Sequence, residues 1–216
     1  MLSIYGRKPA AVVVEPVARG LTRAGLTPNA ITLLGTAATV AVTVTLIPQG
    51  HLVLAAVLSL LFAAFDMVDG TMARLRGGGS AYGATLDASC DRVTDGALFG
   101  AIVMWLVYTD HAAPATVAAA LVVLVLSQVI SYIKARGEAG GLKIVGGLIE
   151  RPERLIIGLG GLALEGLGVP WAIEAALWTL AAGSIFTVVQ RLRTAARDTH
   201  AGDPVAAPAG SKEAGR

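Results

Sequence analysis

Six long apolar stretches follow one another along the chain, separated by short connections that are polar or contain proline. They cover approximately residues 30–47, 51–75, 83–108, 113–133, 155–168 and 171–189, and the fifth is the weakest of them. At about 1.5 Å per residue, stretches of this kind suit a hydrocarbon core that is roughly 30 Å thick. The pattern predicts an all-α integral membrane protein with six transmembrane helices.

The two ends of the chain differ from these stretches. Between residues 12 and 26, apolar positions are mixed with Glu15, Arg19 and Arg23, which predicts an amphipathic helix lying in the membrane interface. After residue 197 no apolar periodicity remains, which is typical of disorder. We therefore predict an interfacial segment at 1–26, a membrane domain at 27–197 and a disordered tail at 198–216. The apolar run at 10–14 is too short for a signal-peptide core, so we expect the mature chain to start at Met1.

Composition and charge agree with a membrane location. Hydrophobic residues make up 55% of the chain and charged residues 15%, and the 26 glycines suit closely packed transmembrane helices. If six spans are assumed, all 17 Lys and Arg residues fall on one side, which the positive-inside rule makes cytoplasmic. We therefore expect a multi-pass protein of the cell membrane, with both termini and the charged site on the cytoplasmic side.

Net charge and cysteine content argue against nucleic-acid binding and against sites built from several cysteines. The net charge is only +2 and no basic run is interleaved with aromatic residues, so we expect no nucleic-acid partner. Cys90 is the only cysteine, which excludes an intrachain disulfide and a CxxC metal site. Helical phase turns Cys90 away from Asp87 and Asp91, so we expect its thiol in the core.

Five aspartates lie inside the second and third apolar stretches. Asp66 and Asp69 are three residues apart, so they share one face of the second helix. Asp87, Asp91 and Asp95 recur every four residues and share one face of the third. A carboxylate near the membrane centre costs about 2.5–3.5 kcal/mol on insertion scales, so these side chains need water, a cation or basic partners. Oxygen ligands without His or Cys favour hard cations such as Mg²⁺ or Mn²⁺.

Solvated acids and an ion pathway are the two alternatives to a metal site that the residues alone leave open. Acids near helix ends can be solvated by lipid headgroups, although the regular helical spacing argues against this. Intramembrane aspartates also mark the pathways of metal or proton transporters. A transporter needs polar groups along the full depth of the membrane, whereas the remaining four stretches carry almost no acids apart from Glu165 and Glu174.

The aspartates and their neighbours resemble the signature of the CDP-alcohol phosphotransferase family, D-x2-D-G-x2-A-R-x8-G-x3-D-x3-D. Every fixed position of the signature matches; these are Asp66, Asp69, Gly70, Ala73, Arg74, Gly83, Asp87 and Asp91. The six-stretch layout and the segment TPNAIT at 27–32 also resemble the family, so the likeness extends over roughly residues 25–195.

The resemblance implies a two-metal site, with Mg²⁺ or Mn²⁺ bound against the diphosphate of a CDP-linked lipid. The implied metal ligands are Asp66, Asp69, Asp87 and Asp91. The implied contacts of the CDP-lipid are Asn29, Ala30, Ile31, Thr32, Gly70, Ala73, Arg74 and Ser80. Asp91 would also be the general base that takes the proton of an acceptor hydroxyl, after which CMP leaves. The resemblance further implies a homodimer.

Basic residues near the cytoplasmic ends of the later stretches bear on the acceptor. An acceptor that carries its own phosphate would use Arg and Lys, whereas a neutral polyol would not need so many cations. The candidate phosphate ligands are Lys134, Arg151, Arg154 and Arg191. Residues 146–158, GGLIERPERLIIG, resemble the actinobacterial branch of the family that uses inositol phosphate. We therefore expect transfer from CDP-diacylglycerol to inositol 1-phosphate (1D-myo-inositol 3-phosphate), with a phosphatidylglycerophosphate synthase as the alternative.

Asp95 lies outside the signature, one turn beyond Asp91. Two roles remain open for its carboxylate. It can orient a ligand through a neighbouring side chain, or it can pair with Arg92 for structural reasons. The sequence slightly favours the structural role.

Overall fold

The computed structural model describes residues 7–204, without the side chains of residues 7–13, Phe65 and Asp66. Within this range the protein is all-helical. Its helical segments are α1 (Arg7–Arg23), α2 (Pro28–Leu46), α3 (Leu52–Ala63), α4 (Phe65–Leu75), α5 (Ala81–Tyr108), α6 (Pro114–Ala139), α7 (Arg151–Gly166) and α8 (Ala172–Ala196). Residues 1–6 and 205–216, which belong to the predicted terminal segments, lie outside the described range. The all-α prediction is confirmed for the residues described.

Local sequence signals set where the helices that carry the site begin. The Thr27 hydroxyl accepts a hydrogen bond from the backbone N–H of Ala30 at 3.2 Å and caps α2. The Ser80 hydroxyl accepts from the N–H of Gly83 at 2.9 Å and caps α5 in the same way. At α7, the backbone N–H of Glu150 donates to the Glu153 carboxylate at 3.3 Å. Each of these contacts satisfies a polar group that the first helical turn leaves without a partner.

Four of the described helices are long and apolar enough to cross a membrane. They are Pro28–Leu46, Leu52–Leu75, Pro114–Ala139 and Ala172–Ala196. The second consists of α3 and α4, which are separated only by a turn at Ala64. Helix α5 is long enough but is not apolar enough, because it carries charged residues. Helix α7 is too short, with only 16 residues. The structure thus supports a multi-pass membrane protein, while the six-span arrangement stays a prediction.

The main hydrophobic core lies between α3, α5, α6, α7 and α8. Phe99 and Ile102 of α5, Leu162 of α7 and Leu177 of α8 are fully buried in it. Large apolar side chains also cover the outer surface of the helices; among the most exposed are Leu34, Val57, Val125 and Phe186. Because a water-soluble bundle would keep most such residues inside, this distribution fits helices that are surrounded by lipid.

A second, smaller core joins α1 to the helices that carry the first aspartates. Ala18 of α1 packs with Ile31 of α2 and with Val68 and Met72 of α4. Glu15 and Arg19 of α1 form an ion pair at 2.5 Å on its exposed side. Within its described side chains, α1 thus packs on the bundle through Ala18 and carries the Glu15–Arg19 pair on its exposed side, and the amphipathic helix in the membrane interface stays a prediction.

The connections between helices meet at two opposite ends of the bundle. At one end, the Thr109 hydroxyl after α5 donates to the carbonyl oxygen of Pro48 after α2, at 2.8 Å. At the other end, the Arg76 guanidinium after α4 donates to the carbonyl oxygen of Leu26 before α2, also at 2.8 Å. The second end is where the basic residues concentrate, and it carries the candidate site.

Residues 198–204, the described part of the predicted tail, form turns against the α6–α7 connection. The Asp198 carboxylate accepts hydrogen bonds from the backbone N–H groups of His200 at 2.9 Å and Lys143 at 3.0 Å. These two bonds stabilise the charged carboxylate and lower the pKa of Asp198.

The packing of α7 on α8 predicts opposite outcomes for two adjacent glycines. A Cβ on Gly161 would lie 2.5 Å from the Cβ of Ala176, whereas a Cβ on Gly160 meets no atom within 4 Å. We expect Gly161→Ala to destabilise the protein by about 1–3 kcal/mol through overpacking. Gly160→Ala should be neutral or slightly stabilising, because alanine is the better helix former.

Thermal unfolding in detergent would test this pair. A clear fall in Tm for Gly161→Ala and none for Gly160→Ala is the expected result. Equal Tm values for the two variants would show that α7 and α8 do not approach as closely as described.

Candidate active site

An open groove of about 650 Å³ lies where the first turns of α2 and α5 meet α4. The predicted site residues on its lining are Asn29, Thr32, Asp69, Gly70, Ala73, Ser80 and Asp87, and the signature residue Gly83 lines it as well. They come from three separate segments of the sequence, so the fold brings together most of the predicted nucleotide-binding residues and two of the four predicted metal ligands.

Asp69 is held by a hydroxyl group of α2. Its carboxylate is buried, with 7% of the residue exposed, and it accepts a hydrogen bond of 2.5 Å from the Thr32 hydroxyl. The same hydroxyl lies 3.1 Å from the carbonyl oxygen of Pro28. The structure shows that Thr32 orients an aspartate, and its predicted contact with the CDP-lipid stays a prediction.

Two glycines of the signature occupy places where a side chain would change the groove. A Cβ on Gly83 would lie 3.2 Å from the Ser80 hydroxyl and 3.3 Å from the Asn29 side-chain oxygen, so a larger residue would press α2 away from α5. A Cβ on Gly70 would meet only the Arg74 guanidinium, at 3.7 Å, and would project into the groove. Gly83 thus permits close packing, and Gly70 leaves space beside Asp69.

Three of the predicted nucleotide-binding residues do not line this groove in the described structure. Ile31 packs in the smaller core, and the backbone N–H of Ala30 bonds to the cap at Thr27. The exposed Arg74 donates a hydrogen bond of 2.8 Å to the Thr71 hydroxyl. Their roles toward a ligand stay predictions.

Arg76 lines the groove although no motif in the sequence singled it out. It follows α4 directly and donates to the carbonyl oxygen of Leu26, which fixes the α1–α2 connection beside the groove. Its position two residues after Arg74, in the spacer of the signature, was the one available signal. The contact with Leu26 could not be inferred because the two residues are 50 positions apart.

The predicted four-aspartate metal site is described only in part. The side chain of Asp66 lies outside the described residues, and the remaining described side chains contain no group of three His, Cys, Asp or Glu suited to a metal ion. Asp69 and Asp87 nevertheless line one groove and supply oxygen ligands, as a hard divalent cation requires. The donor set therefore fits such an ion, and the four-ligand site stays a prediction.

Deeper along α5, Asp91 lies among arginines. Its carboxylate contacts the Arg151 guanidinium of α7 at 2.8 Å and that of Arg92 at 3.8 Å. Arg151 also donates to the hydroxyl of Thr94, one turn further along α5, at 3.3 Å. An arginine of α7 that was predicted to bind phosphate therefore lies against the general-base candidate.

One turn beyond Asp91, Asp95 forms the most deeply buried ion pair of the described bundle. The Arg154 guanidinium donates to its carboxylate at 2.5 Å, and the two side chains are 0% (Asp95) and 1% (Arg154) exposed. Arg92 and Arg151 approach the same carboxylate at 3.6 and 3.8 Å. Asp95 lies near the midpoint of the 28-residue helix α5, whereas Arg154 lies in the first turn of α7. We call Asp91, Arg92, Asp95, Arg151 and Arg154 the arginine–aspartate cluster.

The remaining two candidate phosphate ligands are engaged differently. Lys134 of α6 is exposed and lies 3.9 Å from the Glu138 carboxylate, one turn along its own helix. Arg191 of α8 is buried and donates to the carbonyl oxygens of Ile130 at 2.7 Å and Gly146 at 3.0 Å. Arg191 thereby ties the α6–α7 connection to α8, and its role toward an acceptor stays a prediction.

Known proteins resemble this chain in sequence over most of its length. The family model for CDP-alcohol phosphatidyltransferases matches residues 25–189. The phosphatidylinositol phosphate synthase of Corynebacterium glutamicum is 62% identical over 212 residues, which cover 98% of this chain and 97% of that protein. The synthase of Mycobacterium tuberculosis strain H37Rv is 49% identical over 210 residues, 96% of each chain.

Solved structures agree with the sequence comparison. The crystal structure of the M. tuberculosis synthase with CDP-DAG bound matches with a TM-score of 0.87 at 48% identity, over 91% of this chain and 100% of that one. The structure of the same enzyme with manganese and citrate matches with a TM-score of 0.85 at 49% identity, over 89% of this chain and 93% of that one. The chain therefore belongs to the CDP-alcohol phosphatidyltransferase family.

Proposed function

We propose that this enzyme transfers the phosphatidyl group of CDP-diacylglycerol to inositol 1-phosphate (1D-myo-inositol 3-phosphate) and releases CMP, which is the activity of a phosphatidylinositol phosphate synthase. One observation carries the proposal. Asp87 lines the open groove and Asp91, one turn further along α5, lies in the arginine–aspartate cluster, so an acidic region and an arginine-rich region adjoin on one helix. The identity to synthases that are named for this product, over 98% and 89% of this chain, supports the same conclusion.

In the proposed reaction, the groove binds the CDP portion of the lipid. Its lining combines small residues with the polar side chains of Asn29 and Ser80, which suits a planar base and a ribose. The absent side chain of Gly70 leaves room for the diphosphate beside Asp69. A structure of a relative with CDP-DAG bound supports this choice of lipid substrate.

The aspartates of the signature would hold two divalent ions, Mg²⁺ or Mn²⁺, through Asp66, Asp69, Asp87 and Asp91. When bound, such ions polarise the diphosphate and stabilise the oxygen of the leaving CMP. The manganese complex of a relative supports a divalent metal. Thr32 contributes by fixing one carboxylate oxygen of Asp69, which orients the carboxylate.

Asp91 is the proposed general base. Its carboxylate takes the proton of the acceptor hydroxyl, the hydroxyl oxygen forms a bond to the lipid-bearing phosphorus, and the bond from that phosphorus to the CMP oxygen breaks. Arg151 at 2.8 Å limits the rotation of the Asp91 side chain, so the carboxylate keeps one orientation toward the acceptor.

The arginine–aspartate cluster would bind the phosphate that the acceptor carries. Arg151 and Arg154 project from the first turn of α7, three residues apart and on one face. Lys134 and Arg191 are the further proposed ligands. This chemistry also fits glycerol 3-phosphate, so a phosphatidylglycerophosphate synthase is the second candidate. Family membership makes the chain a transferase, which argues against a metal or proton transporter.

The proposed topology has six membrane spans, with α5 and the short α7 completing the four that are long and apolar enough. Both helices contribute to the main core, and both also carry exposed apolar side chains, such as Met104 of α5 and Ile156 of α7, that would face lipid. Helix α1 would lie in the interface, with Glu15 and Arg19 toward the headgroups. Both termini and the site would then be cytoplasmic, and we propose a homodimer as the assembly.

Purified enzyme with CDP-diacylglycerol and Mg²⁺ should release CMP with inositol 1-phosphate and not with free inositol. Asp91→Asn should lower kcat about 10²- to 10⁴-fold, because it removes a general base. Asp110→Asn, at the opposite end of the bundle, is the matched control and should retain full activity. CMP release with glycerol 3-phosphate alone would assign the second candidate instead, and an active Asp91→Asn variant would refute the proposed base.

The Thr32–Asp69 contact predicts a change in metal dependence. Thr32→Val keeps the shape of the side chain and removes the hydroxyl that orients Asp69. We expect the Mn²⁺ or Mg²⁺ concentration for half-maximal activity to rise about 10- to 100-fold. Thr45→Val is the control, because the exposed Thr45 hydroxyl bonds only within its own helix among the contacts described. Identical metal titrations for the two variants would argue against an orienting role for Thr32.

The topology can be tested by labelling cysteines introduced at opposite ends of the bundle. In intact cells, a membrane-impermeant maleimide should label Asp110→Cys, whereas Arg193→Cys should react only after lysis. Both positions are exposed in the described structure, so access from water and not burial decides the result. The reverse pattern would place the site on the outer face of the membrane.

A further inference from the structure

We propose that Asp95 is a positioning residue for the acceptor. Its carboxylate holds Nη2 of the Arg154 guanidinium, so that the remaining donors of that guanidinium can bind the phosphate of the acceptor. This inference rests on the proposed phosphate-carrying acceptor. It assigns a functional role to an aspartate outside the eight-position signature.

The first support is the geometry of the pair. The Asp95 carboxylate is completely buried, and its Oδ2 atom accepts a hydrogen bond of 2.5 Å from Nη2 of Arg154. The two residues come from different helices, α5 and α7, and are 59 positions apart in sequence. A charge-assisted bond of this length between buried groups holds both side chains in one arrangement. Asp95 therefore determines where the Arg154 guanidinium lies.

The second support is what the pair leaves unsatisfied. Among the described residues, Nε and Nη1 of Arg154 have no hydrogen-bond acceptor although both atoms are buried. Leaving a buried charged donor unpaired costs more than the roughly 1–3 kcal/mol of a neutral group. Nε and Nη1 lie on either side of Nη2, which donates to Asp95, so each of them can donate to one oxygen of an anion on its own side of the guanidinium. A pair with a purely structural purpose would be expected to satisfy these donors within the protein.

The third support is the position of the pair relative to the general base. Arg151 contacts Asp91 at 2.8 Å and approaches Asp95 at 3.8 Å, so one arginine lies between the two carboxylates. An anion bound at Arg154 would therefore lie close to the side chain that is proposed to take the proton. Since Asp95 holds Arg154 from the side of α5, it sets the distance between the phosphate of the acceptor and the base.

The energetic cost of the pair also favours function over stability. Removing two charged groups from water costs several kcal/mol for each ion, and replacing a buried ion pair by apolar residues is often neutral or stabilising. Phe99 and Leu98, the next buried residues on α5, show that apolar side chains fill this helix immediately beyond Asp95. The charged pair is therefore explained by its action on a ligand better than by its contribution to folding.

Steady-state kinetics of full-length Asp95→Asn and Asp95→Glu in detergent or liposomes would test the role. Inositol 1-phosphate and CDP-diacylglycerol are varied separately, and inorganic phosphate is used as a competitor of the acceptor. We expect the KM for inositol 1-phosphate to rise at least tenfold in both variants, with the KM for CDP-diacylglycerol within twofold of the wild type. Inhibition by inorganic phosphate should weaken in parallel. Asp110→Asn should change none of these values.

A structural role would give a different result. It would lower Tm and the yield of folded protein, and the folded fraction would keep the wild-type KM for the acceptor. That outcome, or an equal rise in both KM values, would overturn the inference. Asp95→Glu retains the charge while moving it by about one methylene group, so it keeps the test valid if Asp95→Asn does not fold.

The wild-type measurement separates this inference from the proposed function. If the wild type uses inositol 1-phosphate and the Asp95 variants keep its KM, the inference alone fails. If the wild type shows no preference for any phosphorylated acceptor, the proposed acceptor fails and the inference fails with it. If the wild type uses only glycerol 3-phosphate, the inference requires the same tenfold rise in the KM for glycerol 3-phosphate.

Discussion

The buried ion pair between Asp95 and Arg154 is the contact on which the geometry of the site depends. It joins the middle of α5 to the first turn of α7, and it forms only if these two helices keep one register. That register places Arg151, three residues earlier on α7, against Asp91. Because an unpaired charge in an apolar core is strongly destabilising, the pair makes any other alignment of α5 and α7 unfavourable.

Helix α5 is the element that connects the two halves of the site. Its first turn is packed against α2 through Gly83, and its outer aspartate, Asp87, lines the groove that α2 and α4 complete. Its inner aspartates face the arginines of α7. A rigid helix therefore fixes the spacing between the proposed lipid substrate and the proposed acceptor, which is the requirement of a direct transfer between them.

The sequence was sufficient to predict the helices and the aspartates but not the partners that orient them. Apolar length and helical spacing are local properties, so each helix and its charged face could be identified from neighbouring residues. The helix ends were less accurate: α6 continues to Ala139 and α8 to Ala196, because Lys, Arg, Glu and Ala residues beyond the apolar stretches favour further helical turns. The contact from Thr32 to Asp69 spans 37 positions, and no local pattern reveals it.

Arg191 is a second residue whose long-range partners the local sequence pattern did not reveal. At the end of an apolar stretch it resembled a cation that is free to meet a phosphate, yet the structure surrounds it with carbonyl oxygens and with the Glu150 carboxylate at 3.2 Å. Spacing along one helix shows which face a side chain occupies. It does not show which loop folds over that face, and here the α6–α7 connection does so.

The short length of α7 has a consequence for the membrane itself. Its 16 residues span about 24 Å, and its first turn lies level with the middle of α5 and not with the beginning of that helix. The charged side chains that begin α7 therefore lie deep in the bundle, at the level where buried apolar residues such as Leu98 and Phe99 begin on α5. The proposed water-soluble acceptor would have to reach this depth to meet the lipid, and the lipid would not need to leave the bilayer.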